Sequence, residues 1–155
     1  ADRISKGRFT VQSIKTLPSP LESYKENEIT QVVLRPLSPV VAGLMKDNGK
    51  YDFLPPDDPR FAESLIYNWR SKIETCYDKA TAQGALLIME QKARKLPPRS
   101  RLITVKAGTE AETKIRGWMN VDLSVTAEKR FIEILLNAGV GVYNAQGMGY
   151  VEGNN

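Results

Sequence analysis

The stretch Lys114-Ile115-Arg116-Gly117-Trp118-Met119-Asn120-Val121-Asp122-Leu123 alternates without a break. Ile115, Gly117, Met119, Val121 and Leu123 fall on one face, and Lys114, Arg116, Trp118, Asn120 and Asp122 fall on the other. A period of two marks a strand with one buried side. The first set is core material. The second joins two cations to an indole and an amide, a mixture that can hold a phosphate chain while stacking a base. Upstream, Arg101 to Lys106 reads as the partner strand of a hairpin around Gly108.

Downstream, Thr126 is the expected cap of a helix with Glu128 in its first turn, and Phe131, Ile134, Leu135 and Ala138 form its buried stripe. Gly139 stands where a left-handed C-cap residue is expected. It also opens the run Gly139-Val140-Gly141-Val142-Tyr143-Asn144-Ala145-Gln146-Gly147-Met148-Gly149, two G-x-G units separated by five residues. Its four glycines permit positive φ and bring bare backbone near a partner. Successive amides in such a loop can form a phosphate nest, with Tyr143, Asn144 and Gln146 as further contacts.

The loop follows a helix and precedes a strand, the reverse of a dinucleotide fingerprint. No Gly-Lys-Ser/Thr run exists for a nucleotide P-loop. A helix C-terminus carries partial negative charge, so basic side chains from elsewhere must help attract phosphate. They are supplied between Lys92 and Arg116. Lys92, Arg94, Lys95, Arg99, Arg101, Lys106, Lys114 and Arg116 face only Glu110 and Glu112 in that segment.

The whole chain is less lopsided. In 155 residues, 22 Lys and Arg oppose 18 acids, a formal charge of +4, which permits nucleic-acid binding without demanding it. Hydrophobic content of 41% fits one globular domain with additional elements. The absence of histidine excludes an imidazole base or histidine metal ligand within these residues, and no cofactor or metal is expected. A single Cys76 excludes a disulfide framework, agrees with a reducing cytoplasm, and is expected to be a buried thiol. No apolar run approaches membrane-spanning length, so no membrane partner is expected.

Earlier in the chain, Arg8 to Lys15 alternates as an edge strand, and Leu17 to Asn27, with Pro18 and Pro20, reads as a linker. Ile29 to Leu37 reads as a strand covered on both faces, ended by Pro36 and Pro39. A turn at Asp47-Asn48-Gly49-Lys50 precedes a short extended run, Tyr51 to Leu54. Asp58 caps a long helix whose stripe is Phe61, Leu65, Trp69, Ile73 and Cys76 or Tyr77. Asn68, Arg70 and Lys72 take its solvated sides, and Gly84 ends it. Ala85 to Glu90 fits strand or helix equally. The fold class is therefore α+β: a ferredoxin-like βαββαβ (RRM-like) antiparallel sheet with two helices on one face, plus an N-terminal extra strand. Residues 1–27 form the strand and linker, and 28–153 form the domain.

Three stretches resemble the C-terminal half of the CRISPR repeat-processing endoribonucleases, the Cas six family of the RAMP superfamily. They are Leu34-Arg35-Pro36-Leu37-Ser38-Pro39-Val40-Val41, the helix from Asp58-Pro59-Arg60-Phe61 through Asn68-Trp69-Arg70-Ser71-Lys72, and Gly139 to Gly149. The resemblance implies an earlier ferredoxin-like domain, of which residues 1–27 would be a remnant, often carrying a histidine acid or base. It also implies a Lys or Arg between the paired glycines, where Val142 to Gln146 has none.

What it implies for activity is processing of precursor CRISPR RNA by metal-independent cleavage within the repeat, with retention of the 3′ repeat hairpin. The implied partners are CRISPR repeat or guide RNA, with other CRISPR subunits or a homodimer as further candidates. The candidate contacts are Gly139, Gly141, Tyr143, Asn144, Gln146, Gly147, Gly149, Lys92, Arg94, Lys95, Arg99, Arg101, Lys114, Arg116 and Trp118. No catalytic residue is assigned. Two other readings are a non-catalytic RAMP subunit that binds RNA in an interference complex and an unrelated ferredoxin-like interaction module.

Overall fold

A computed structural model of the chain describes residues 21–92, 94–106, 108–110 and 112–154. The expected strand at Arg8 to Lys15 lies outside them. The alternation at Lys114 to Leu123 belongs to two strands in different sheets. One strand, Thr113–Met119, ends before Asn120, whose φ of 62° turns the chain, and the next runs Asp122–Glu128. Asn tolerates the left-handed region better than most residues, so it can sit at this corner.

Among the described residues the principal sheet has four antiparallel strands: β1 (Ile29–Pro36), β4 (Ile88–Lys92), β7 (Asp122–Glu128) and β8 (Val151–Asn154). Their spatial order is β4-β7-β1-β8. Two smaller antiparallel pairs are β2 (Ala42–Met45) with β3 (Tyr51–Leu54), and β5 (Arg99–Val105) with β6 (Thr113–Met119). The long helix is α1 (Arg60–Cys76), followed by short α2 (Lys79–Gly84), and α3 (Lys129–Ala138) precedes the glycine loop.

Taken as β1-α1-β4-β7-α3-β8, the chain is a ferredoxin-like βαββαβ unit. The strand assignments differ from the sequence expectation. The ambiguous run near Ala85 to Glu90 supplies the second strand of the unit, at the sheet edge, and the β5–β6 hairpin is inserted in the chain between β4 and β7.

Helices α1 and α3 bury one face of this sheet. Val32 and Leu34 of β1 and Leu123, Val125 and Ala127 of β7 meet Phe61, Leu65, Trp69 and Ile73 of α1 and Phe131, Ile132 and Leu135 of α3, all essentially inaccessible. The indole of Trp69 donates to the Phe131 carbonyl at 2.9 Å, which ties the helices together. Truncating it to Ala would cost about 4 kcal/mol.

Strand β1 is covered on one face only, since Ile29, Gln31 and Arg35 are exposed. Its alternating burial is what an antiparallel sheet with one open side requires. Helix starts are made differently from expectation as well. Thr126 lies inside β7, and the first amides of α3 donate instead to backbone carbonyls before β1, Lys129 to Glu28 and Arg130 to Glu26. Asp58 does serve α1, accepting from the Arg60 amide at 2.8 Å, and the Arg60 guanidinium holds its carboxyl down at about 2. Cys76 is exposed at the end of α1, not buried. Leu21, placed in the linker by sequence, is fully buried in the core.

Candidate functional site

Pro39, Val40 and Val41 leave β1 as an extended segment that joins the glycine loop to the hairpin. Val40 makes an antiparallel bridge to Trp118 of β6, exchanging backbone bonds of 2.9 and 2.8 Å. Its neighbour Val41 makes a parallel bridge to Gly141 and accepts from the Val142 amide at 3.0 Å. The two regions singled out by sequence are therefore brought to opposite edges of one segment.

The glycine loop is closed from within. Val140 and Gly149 are joined by an amide-to-carbonyl bond of 2.8 Å, and the Gly149 amide donates to Pro39 at 2.8 Å. The Gln146 and Met148 amides both donate to the Tyr143 carbonyl, and Gly147 donates to Asn144. The Asn144 side chain bridges the carbonyls of Val140 and Met148 at 3.1 and 2.8 Å. Much of the expected phosphate nest is thus occupied by internal bonds.

Gly141 and Gly149 have φ of 74° and 77°, and a Cβ at either would overlap a carbonyl oxygen, that of Val41 or Val140. Gly147 also has positive φ, 90°, but a Cβ there would meet open space. Gly139 is buried against Asn144. Only the apex around Ala145, Gln146 and Gly147 is exposed.

Below the loop, the Lys72 ammonium donates to the carbonyls of Gly139 and Gly141 at 2.8 and 3.0 Å. Burial draws this lysine down to about 8, while its two carbonyl partners favour the charged form. Asn68 and Arg70 are likewise half-buried, and Arg70 donates to the carbonyls of Ala82 and Ala85 at the end of α2. Arg70 and Lys72, expected on the solvated face of α1, are therefore engaged in internal bonds, whereas the Asn68 side-chain oxygen is buried without a partner among the described residues. Sequence periodicity could place Lys72 on that face but held no sign of its carbonyl partners.

The hairpin is built in the opposite manner. Lys114 and Arg116 are exposed on β6, opposite Thr104 and Leu102 of β5. Lys114 reaches the Thr104 hydroxyl at 3.3 Å and stands 4.0 Å from Glu112, and Arg116 donates to the Ser100 hydroxyl at 3.2 Å. Arg99 and Arg101 are exposed on the other face of β5. Trp118 is half-buried beside Pro97, Pro98 and Arg99, and its indole nitrogen has no partner among the described residues.

Of the remaining cations, Lys95 and Lys92 are exposed, whereas Arg94 pairs at 3.2 Å with Asp122, a nearly buried carboxylate also approached by Arg35. Arg94 therefore neutralises an internal charge.

Three aromatic residues lie between hairpin and loop. Tyr51 and Phe53, two apart on β3, and Tyr143 of the glycine loop have ring centroids 5.8 to 6.2 Å apart. Sequence reasoning singled out Tyr143 but not the other two, although their i, i+2 spacing already put both rings on one strand face. Among the described residues no group of three or more His, Cys, Asp or Glu could hold a metal, and no helix is long and apolar enough to cross a membrane.

The sheet order and the two helices on one face define a ferredoxin-like domain. The family model described as "CRISPR associated protein Cas6, C-terminal" matches residues 18–153. The chain belongs to that family.

Among solved structures, one described as a Cas6-related gene product from Pyrococcus furiosus is similar, with 20% identity over 85% of this chain and 51% of that one, at a TM-score of 0.63. Another, described as an RAMP protein binding different RNA substrates, has 18% identity over 81% of this chain and 49% of that one, at 0.64. A third, described as CRISPR associated protein Cas6, has 19% identity over 80% and 48%, at 0.56. The chain spans about half the length of each. No curated protein matches it.

Proposed function

We propose that this chain is the RNA-holding half of a CRISPR repeat-processing ribonuclease. In this reading it grips the 3′ hairpin of the repeat through the cationic β5–β6 hairpin and the neighbouring apex of the glycine loop. The observation that carries the proposal is the exposed pair Lys114 and Arg116, which reach the hydroxyls of Thr104 and Ser100 on a hairpin joined to the glycine loop through Val40 and Val41. Exposed cations that meet phosphate release the counterions condensed on the RNA, the main source of RNA affinity. The similar RAMP protein, described as binding different RNA substrates, agrees with RNA as the ligand class.

The proposed reaction is metal-independent. A ribose 2′-OH loses its proton to a base and its oxygen bonds to the adjacent phosphorus. The bond from phosphorus to the 5′ oxygen breaks, and that oxygen takes a proton from an acid. The products are a 2′,3′-cyclic phosphate and a 5′-OH. In this scheme Lys114 and Arg116 would hold RNA phosphates, and no described residue is assigned to either proton transfer. Burial lowers Lys72 to about 8, but its ammonium is committed to two loop carbonyls.

Incubation of the chain with labelled repeat RNA in EDTA tests the reading. A gel shift supports the RNA-holding role, and a cyclic-phosphate product would extend the role to cleavage. A shift without product favours the second reading, a non-catalytic RNA-binding subunit of an interference complex. No RNA affinity at any salt concentration would leave a ferredoxin-like interaction module.

A further inference from the structure

We infer that the hollow between Tyr51, Phe53 and Tyr143 is a pocket for one unpaired nucleobase of the bound RNA, with Lys50 and Lys114 on its rim to take the flanking phosphates. The inference rests on the RNA-holding reading and adds a specific subsite to it. The three rings come from separate parts of the chain, two from β3 and one from the glycine loop, and all are half-buried. Their planes are inclined by 31° to 67°, so none of the rings is stacked face to face on another. Faces left unstacked in this way are what an incoming base needs.

The cavity they border has a volume of about 270 Å³ and is also lined by Gly49, Lys50, Glu112, Thr113 and Lys114. That is at or below the small end of ligand pockets, a size for one base and unsuited to a base pair. Its charge fits the same occupant. Lys50 is exposed, and the Lys114 side chain is 60% exposed, against a single carboxylate, Glu112. Glu112 accepts from the Gly108 amide at 2.9 Å and stands 4.0 Å from the Lys114 ammonium, so two cations on the rim face one carboxylate. Arg116 continues the cationic row along β6, so an RNA backbone following that strand arrives at the hollow.

Tyr143 supplies an independent argument. Its φ of 64° is a left-handed conformation that disfavours a bulky side chain, yet a tyrosine occupies it. Two loop amides, from Gln146 and Met148, converge on its carbonyl and hold the backbone there. The strained residue thus presents an aromatic ring to Tyr51 and Phe53, and strain of this kind collects at binding sites.

The test uses the full chain and hairpin RNAs carrying six-nucleotide single-stranded tails, each tail nucleotide replaced in turn by an abasic ribose. One position should lose roughly tenfold or more in affinity. In Tyr143→Leu and Phe53→Leu, that position should no longer matter, while dependence on the hairpin stem persists. A 2-aminopurine placed at the sensitive position should be quenched by the native chain and not by Tyr143→Leu, a reading that does not depend on affinity.

Tight binding with no abasic-sensitive position, or unchanged sensitivity in both folded variants, overturns the pocket and leaves the RNA-holding role intact. Absence of binding to every RNA overturns both. Binding of free nucleoside monophosphate without RNA binding would make the hollow a small-molecule site and overturn this occupant.

Discussion

The glycine loop and the β5–β6 hairpin lie on two sides of the same Pro39–Val41 segment, and they are held by opposite means. The loop is tied inward by its own amides, by Asn144 and by the Lys72 ammonium. The hairpin is tied mainly along its own ladder and at Val40, and its cations point outward. Two neighbouring regions can therefore share a candidate interface while only one of them carries much of the local stability. Glycine richness marks the rigid partner here, and charge marks the free one.

Gly149→Ala should break that contrast most strongly. A Cβ would overlap the Val140 carbonyl at positive φ, so the variant should lose about 3 kcal/mol or more by urea denaturation. A neutral result would mean that the loop yields easily. Next in size is Lys72→Met, which strands two loop carbonyls and should cost about 2 kcal/mol.

Lys72 also carries a pH signature. Its folded value, about 8, lies below the ordinary 10.5, so the unfolded chain binds more protons between those values. Stability contributed by this residue should rise as pH climbs through that window, and the rise should vanish in the Met variant. A matching pH profile in both proteins would refute the assignment.

A smaller cost is expected at Gly147, where the added side chain finds room but the left-handed backbone does not suit it. Gly147→Val should lose about 1–2 kcal/mol through local distortion while the core remains cooperative, as near-ultraviolet dichroism would report. Smallest of all in stability are Lys114→Ala and Arg116→Ala, each within about 0.5 kcal/mol of the native chain. Their effect should emerge in RNA binding, where each lost phosphate contact lowers the salt slope by about 0.7–0.9. An unchanged slope would remove that residue from the interface.

The sequence disclosed the ferredoxin-like class because long periodic elements dominate it. Phe61, Leu65, Trp69 and Ile73 of α1 and Phe131, Ile134 and Leu135 of α3 lie in the core as their spacing required, whereas the last members of each stripe, Cys76 or Tyr77 and Ala138, are exposed at the C-terminal ends of the helices. The strand assignments were harder to read. Lys114 to Leu123 keeps its alternation across the corner at Asn120, so the pattern conceals a change of sheet. Ile88 to Lys92 is too short to show a period, and its place beside β7 depends on long-range pairing.

The candidate site was legible in its charges but not in its contacts. Lys72 looks like any cation on a helix face, because its loop carbonyls lie far along the chain. Tyr51, Phe53 and Tyr143 gave no joint signal for the same reason: their meeting depends on the completed fold.

Val40 and Val41 act as a gauge between the two regions. Because consecutive residues of an extended segment differ by about 3.3 Å of rise, the bridge to Trp118 and the bridge to Gly141 are offset by one such step. A longer or shorter hairpin can evolve without altering that offset, whereas inserting a residue between the valines would put the cationic arm and the glycine corner out of register. Under the proposed RNA-holding role, divergence in preference would concentrate at the tip of the arm, with its root held to a fixed length.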